Sequence, residues 1–405
     1  MDEIAVNFLE QRKQTAVQVA QQLAAFLGQA TKTLDIAIYS FHLNDEAGRI
    51  IESALRERAA AGVAVRIAYD AGTQQAHIPG YGYETMGHHA SGSSMPVAAA
   101  GSDVHTTDFK DTSTDTSADT QSYIQALGIT CKPIEAYHAL MHDKYAIVDS
   151  GTPQAQVWTG SSNWTDDSWT LQESNIIVLP GAEIAAYFTN DFNELWVDGN
   201  IASSGAMDSG TVTLQYGGQA APTSVFFAPN DGVEIDQKLA DLISNTQERL
   251  TLATVVLTSG KMLGALQQLM QRGVPIEGIY DATQMHGVLH QWEGVPNNRW
   301  KIPVWQQVVE YGHLSGKHST PYTPTSKHDF MHNKVMVSDH TVVTGSYNFS
   351  RHAQSNAENI LILASEPLAK TYIDYIHSIM QTYSADAGQV IPSSRPAAGG
   401  KDPGV

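Results

Sequence analysis

Cysteine occurs once in 405 residues, at Cys131. No internal disulfide can form, no redox compartment follows from it, and structural zinc sites built from several cysteines are excluded. Long apolar runs are missing too, since nothing approaches the roughly 18 residues that a membrane-spanning helix needs. The first residues, Met1-Asp2-Glu3-Ile4, are acidic where a secretory leader is basic. The expectation is a soluble protein with no transmembrane segment, cytoplasmic as written and secreted if a leader was removed. Basic residues are few: Lys and Arg total 23 against 42 Asp and Glu, a net charge of −19. Phosphate-backbone binding draws on clustered cations, so a surface that tracks nucleic acid along its whole length is excluded, although a small basic pocket is not. With 42% hydrophobic and 16% charged residues, the composition is globular and the length allows two domains.

What is present is an internal repeat. His138-Ala139-Leu140-Met141-His142-Asp143-Lys144 matches His328-Asp329-Phe330-Met331-His332-Asn333-Lys334 at an offset of 190, which also carries Asp149 onto Asp339. Gly160-Ser161-Ser162-Asn163 matches Gly345-Ser346-Tyr347-Asn348 at an offset of 185, and the same offset carries Glu173 onto Glu358. The difference falls on Ser150-Gly151-Thr152-Pro153-Gln154, which reads as a longer hairpin turn. Upstream, residues 62–71 resemble 273–282. Each segment follows a helix-like stretch, 47–61 and 261–272, closed by a glycine suited to the C′ position, and each helix follows a β-rich run, 33–41 and 250–257. Alternating strands and helices predict an α/β sandwich with a largely parallel or mixed sheet.

The halves are expected to meet near residues 198–224, where Gly, Ser and Ala dominate and Pro222 precedes a strand at 224–228. This predicts an N-terminal domain over 1–200 with a loop insert at about 74–130, a C-terminal domain over 201–391 and a disordered tail over 392–405. The Ser/Thr/Asp-rich stretch 90–120 within the insert reads as a lid or a disordered loop. Charge is split unevenly: residues 1–198 hold 10 basic and 25 acidic residues, the remainder 13 and 17.

Histidine at i and lysine at i+2 on a strand project from one face, so His142 goes with Lys144 and His332 with Lys334. After the hairpin, Ser161 and Asn163, or Ser346 and Asn348, can return to the same end of the sheet. Two such sets face to face would surround a tetrahedral anion. Lysines and amides can stabilise non-bridging oxygens, one histidine can attack phosphorus, and the other can protonate the leaving oxygen. No cluster of carboxylates shares a face with either histidine, so the chemistry needs neither metal nor cofactor. Glu173 and Glu358 are suited to orient an imidazole through its second nitrogen.

His142-x-Lys144-x4-Asp149 with Gly160-Ser161-x-Asn163, and His332-x-Lys334-x4-Asp339 with Gly345-Ser346-x-Asn348, resemble the paired motifs of the phospholipase D superfamily, over residues 14 to 385. The resemblance implies two similar α/β/α sandwich domains with mixed sheets, related by a pseudo-twofold axis with the active site at their interface. It implies metal-independent phosphodiester cleavage through a phosphohistidine, with Asp149 and Asp339 in the catalytic set. The N-terminal histidine is commonly the nucleophile, which maps to His142 and leaves His332 as general acid; the symmetry of the repeat leaves that order open. The family contains phospholipases, phosphatidyl transferases and nucleases. The duplicated chain and long loops look more like a bacterial phospholipase D, acting on a phospholipid with transient membrane-surface contact. Gly345-Ser346-Tyr347-Asn348-Phe349-Ser350 and Asn356-Ala357-Glu358-Asn359 are similar to the compact endonucleases, so a nuclease is the alternative reading, followed by a catalytically silent scaffold.

Other features carry two readings each. His77, His88, His89 and His105 read as a solvated loop rather than metal ligands, because helical ligand spacing is lacking. Trp292, Trp300 and Trp305, with Lys301, Lys317 and Lys327, form either an amphipathic rim for lipid headgroups or a packed loop. Trp164 and Trp169 line the pocket or fill the core. Cys131 reads as a small buried residue. Asp70 and Asp281 either face the active-site edge or cap helices, and stay outside the catalytic set.

Overall fold

The strands that build the centre of each half are apolar on both faces, which requires helices on both sides. In chain order the first half holds β1 (Ala5–Leu9), α1 (Ala16–Leu27), β2 (Thr33–Ile38), β3 (Phe41–His42), α2 (Asp45–Ala60) and β4 (Ala64–Gln74). It continues with α3 (Thr114–Ala126), β5 (Thr130–Tyr137), β6 (Lys144–Val148), β7 (Gln156–Gly160), β8 (Trp164–Thr165), α4 (Asp166–Thr170), β9 (Ser174–Pro180) and α5 (Ala182–Asp198). The second half holds β10 (Gly210–Tyr216), β11 (Gln219–Ala228), α6 (Gly232–Asn245), β12 (Leu250–Thr254), α7 (Gly260–Gln271), β13 (Ile276–Asp281) and α8 (Ala282–Gly294). Then come α9 (Lys301–Gly312), β14 (Ser315–Lys317), β15 (Lys334–Ser338), β16 (Thr341–Gly345), β17 (Glu358–Ala364) and α10 (Glu366–Tyr383). This computed structural model describes residues 3–74, 114–206, 208–323 and 326–384.

Both halves use one sheet plan. The first sheet runs β1-β9-β7-β6-β2-β4-β5, and the second runs β11-β17-β16-β15-β12-β13-β14 with β10 added at the β11 edge. Pairing directions agree position by position: β2–β4–β5 and β12–β13–β14 are parallel, and the other shared pairs are antiparallel. The mixed α/β architecture and the duplication are therefore as the repeat implied. Helix starts follow ordinary capping chemistry, as at α1, where Thr15 and Gln18 form a capping box. Gly62 and Gly273 follow α2 and α7 with φ of +87° and +74°, the left-handed conformation that a helix C′ position favours in glycine.

Alternation along β6 shows how the layers divide. Tyr145 and Ile147 enter a central core, while Ala146 and Val148 face an outer one. The central core joins Phe188 and Phe192 of α5 and Tyr372 and Ile376 of α10 to residues of both sheets, such as Ile177 and Leu361. Outer clusters lie under α1 and α2 on one side and under α6 to α9 on the other. One continuous apolar core thus crosses the pseudo-twofold interface and holds the halves in one geometry.

Two stretches hold regular structure that their composition did not suggest. The stretch 198–221 contains β10, whose Val212 and Leu214 are buried while Thr211, Thr213 and Gln215 are exposed. That period-two burial is supplied by pairing with β11, so the Gly/Ser-rich stretch where the halves meet contributes a strand to the second sheet. The stretch 90–120 overlaps α3, whose Thr114–Ala126 span reaches back into it. His77, His88, His89 and His105 lie outside the described residues, as does the tail 392–405.

Candidate active site

Each histidine is placed by the strand it precedes and by backbone from the other half. The His142 N–H donates to the Ala357 carbonyl at 2.8 Å, and the Ala357 N–H returns to the Leu140 carbonyl at 2.8 Å. In the mirror arrangement, His332 N–H donates to the Glu173 carbonyl at 2.8 Å and Glu173 N–H to the Phe330 carbonyl at 3.1 Å. Asp70 and Asp281 fasten the same segments, accepting from the N–H of Met141 at 2.8 Å and of Met331 at 2.9 Å. Asp281 also caps α8 through the Gln284 N–H, so both readings of that residue hold at once. Burial raises its pKa to about 6.

Lys144 and Lys334 are each 1% exposed, and their ammonium groups donate to the carbonyls of His142 at 2.7 Å and His332 at 2.9 Å. The His142 ring meets the Tyr39 ring edge-on at 4.8 Å, and the Lys144 ammonium stands 5.0 Å from that ring. His332 senses the charges of Lys334, Lys144 and His142. The four residues therefore form one electrostatic unit spanning both halves. Burial first, then those positive neighbours, hold the His332 pKa well below the ordinary imidazole range, against an opposing hydrogen bond with the Ser161 backbone.

Ser161 and Ser346 are fully buried and tie strands together. Ser161 Oγ accepts the Asn175 N–H at 3.0 Å, and Ser346 Oγ accepts the Asn359 N–H at 2.9 Å. Ser346 also holds the Glu358 carboxyl. Gly160 and Gly345, at φ of +134° and +143°, precede these serines, and a side chain at either would run into the carbonyl of Asn175 or Asn359. The amide oxygens of Asn163 and Asn348 are buried without a hydrogen-bond partner.

The glutamates depart from expectation. Nδ1 of His142 lies 2.7 Å from Oε2 of Glu358, so Glu358 meets the imidazole of the other half. Burial pushes Glu358 up to about 8, although Lys144, Ser346, Asn356 and Lys334 draw it down. Glu173 does not occupy the matching place beside His332. Ser161 and Asn175 are 14 residues apart, whereas Ser346 and Asn359 are 13 apart, so the first half carries one extra residue before its last strand. The backbone partners just described accordingly equate Glu173 with Ala357 and Ser174 with Glu358. A slip of one residue turns a strand side chain to the other face. Glu173 Oε1 instead accepts from the Tyr383 hydroxyl at 2.6 Å and the Gln11 N–H at 3.1 Å, with the Lys317 ammonium at 3.9 Å.

Asp149 and Asp339 also sit elsewhere. They follow β6 and β15 at the far end from the histidines, roughly 20 Å along a strand rising about 3.3 Å per residue. Asp149 accepts from the Thr31 hydroxyl at 2.6 Å and the N–H groups of Thr31, Lys32 and Thr33 at 2.8, 2.6 and 3.2 Å. Asp339 accepts from the N–H groups of Gln247, Glu248 and Arg249 at 2.9, 2.8 and 3.1 Å. Burial alone would raise both pKa values, but these donors hold them below the usual carboxylate range. Their fixed spacing from the lysines reflects the length of a strand that carries active-site residues at one end and a loop anchor at the other. Asp149→Ala is expected to cost about 2–4 kcal/mol of stability, because several donors lose a charged acceptor. Thermal melts should show the loss, and initial rates measured well below the transition should stay near wild type.

Residues that sequence reasoning passed over complete the interface. Asn175 Nδ2 donates to Thr344 at 2.7 Å, and Asn359 Nδ2 donates to Thr159 at 2.9 Å, a reciprocal pair of bonds across the pseudo-twofold axis. A constant offset does not pair them, since Asn175 and Asn359 lie 184 residues apart while Thr159 and Thr344 lie 185 apart. Trp292 and Trp305 are core residues at 0% and 1% exposure, which removes them from any lipid-facing rim, while Trp300 is 46% exposed. Lys301 and Lys317 are buried, bonded to carbonyls of Thr258 and of Leu171 and Phe330, and only Lys327 of the three lysines is exposed. Trp164 and Trp169 lie in the first outer core, and Cys131 is half-buried.

Among the described residues, Asp191, Glu194 and Asp208 can bring three carboxylate oxygens within 4.8 Å of one another. The group lies behind β6, where Tyr145 donates to Asp191 at 2.6 Å from the strand face opposite Lys144. Burial, a hydrogen bond with Glu194 and the charge of Asp191 push Asp208 up to about 9. A folded pKa raised this far favours the protonated fold, so its contribution is complete below the unfolded carboxylate pKa and lost as pH climbs through 9. Asp208→Asn is therefore expected to gain a few degrees in Tm over wild type at pH 9 and little at pH 5. A gain independent of pH would contradict this.

Comparison with known proteins places these observations in context. The family model described as cardiolipin synthase, PLD-like domain, matches residues 23–196 and 239–380. The mitochondrial cardiolipin hydrolase of Chlamydomonas reinhardtii is 28% identical over 171 residues, 42% of this chain and 54% of that protein, so the match spans about half the length of that relative. The crystal structure of phosphatidylserine synthase from Haemophilus influenzae Rd KW20 aligns with a TM-score of 0.61 at 12% identity, covering 93% of this chain and 86% of that one. Polyphosphate kinase from Porphyromonas gingivalis aligns with a TM-score of 0.54 at 11% identity, covering 93% and 47%. Likenesses at such identities concern the fold alone.

Proposed function

The chain belongs to the phospholipase D superfamily of phosphodiesterases, and from that premise we propose that it cleaves a phospholipid to phosphatidic acid and free headgroup through a phosphohistidine on His142. One observation carries the reading: Glu358 of the second half bonds Nδ1 of His142 in the first at 2.7 Å, so the imidazole can present Nε2 to phosphorus. The phosphodiester anion lies between Lys144 and Lys334, whose charges offset the developing charge on the non-bridging oxygens. Nε2 of His142 attacks, a P–N bond forms, and the P–O bond to the headgroup breaks. His332 gives its proton to the departing oxygen. Burial and then the positive neighbours lower the His332 pKa in the free protein, and a bound anion opposes both, favouring the protonated imidazole. Water then attacks phosphorus as His332 takes a proton from it, releasing His142.

The names of the relatives support a phospholipid, since the family model and the Chlamydomonas protein both refer to cardiolipin. No helix of the described residues is long and apolar enough to cross a membrane, so membrane contact in this reading is peripheral. A nuclease reading draws on a different observation. The paired histidines of the repeat, His138 and His328, each lie against a tyrosine, Tyr137 at 4.2 Å and Tyr322 at 5.1 Å, and such aromatic faces suit base stacking. Turnover of a phospholipid panel in the presence of ethanol decides between them. A phosphohistidine intercepted by ethanol yields phosphatidylethanol, at a rate little changed between low and physiological salt. Oligonucleotide cleavage that falls steeply with salt, with no phosphatidylethanol, would replace the lipid reading by the nuclease.

A further inference from the structure

The two histidines are not served alike. His142 Nδ1 has a carboxylate, whereas His332 Nδ1 is buried with no hydrogen-bond partner. By the backbone pairing across the interface, the residue that takes the place of Glu358 on the His332 side is Ser174. Ser174 is fully buried, and its hydroxyl also has no partner. Both residues open the last strand of their sheet, and both are followed by an asparagine that reaches across the axis to a threonine. Two orphaned polar atoms at one pseudo-equivalent position would each cost free energy if they served nothing.

We infer that Ser174 is the positioning residue of His332, a neutral hydroxyl standing where His142 has a carboxylate. A serine side chain stops two bonds short of a glutamate's, so one bridging water completes the link to Nδ1. The charged groups that His332 otherwise meets are Lys334 on β15, Lys144 on β6 and His142, and Glu173 turns its carboxylate to Tyr383, Gln11 and Lys317. With no anion at its back, His332 releases and retakes a proton easily. A carboxylate there would hold the imidazolium and slow its service as acid and base. The inequality thus separates a nucleophile backed by Glu358 from a proton carrier backed by Ser174.

The inference rests on the proposed role of His332, and its test begins without substrate. Imidazole titration by NMR, with the His332 signal identified in His332→Gln, should move up by at least about one pH unit in Ser174→Glu, as an adjacent opposite charge does. In Ser174→Ala, kcat should fall about tenfold at constant KM, and Ser174→Thr should restore it. An unchanged His332 titration in Ser174→Glu overturns the inference. If that variant does not fold, a kcat for Ser174→Ala within twofold of wild type overturns it equally. A shifted titration in a protein that makes no phosphatidylethanol would keep the Ser174 assignment while removing the lipid substrate.

Discussion

Turnover is expected to fall by at least about 10⁴-fold in His142→Ala, with no covalent phosphoenzyme detected under acid-free quenching. The loss removes the atom that forms the P–N bond, and water in the vacated space is a weaker, unpositioned nucleophile. His332→Ala should behave differently. With an ordinary headgroup its rate also collapses, because the leaving alkoxide is strongly basic and needs a proton. With a p-nitrophenyl phosphodiester, whose leaving group is already acidic, the adduct should form and then persist, since no base remains to activate water. Mass spectrometry of a His142-containing peptide checks both variants. An adduct found on His332 in His142→Ala would reverse the roles and leave the reaction class intact.

The glutamates should differ almost as sharply. Glu358→Gln is expected to lower kcat about 10³-fold, because Nδ1 of His142 loses the carboxylate that sets its tautomer and stabilises the charge it acquires. Glu173→Gln should cost less than about tenfold in kcat, since its side chain touches neither histidine in the described contacts and only its carbonyl meets the His332 N–H. Its cost should appear in stability, through weakened bonds to Tyr383 and Lys317. Equal kinetic losses in the two variants would mean that Glu173 turns toward His332 during the reaction.

That contrast marks where the linear chain stops being informative. His142 with Lys144 and His332 with Lys334 were legible because each pair lies two residues apart at the entry to one strand, although backbone of the other half fixes each histidine. The duplicated α/β plan was legible for a similar reason, as strand and helix signals recur in the same order. Glu173 misled because a constant offset, which matched it to Glu358, cannot reveal a single extra residue between Asn163 and Ser174, and on a strand one residue decides the face. Asp149 and Asp339 shared the spacing of the site without its place, since a five-residue strand separates its two ends whatever each end does.

Sequence alone, then, determined the chemical pairs and the repeat, because each depends on neighbours along the chain. The tertiary structure decided what meets across the axis: Glu358 on His142, the Glu173 carbonyl on the His332 N–H, and Asn175 on Thr344. Those contacts join residues from different halves. Their partners are chosen by the docking of two sheets around α5 and α10, a packing outcome to which no local pattern in the chain corresponds.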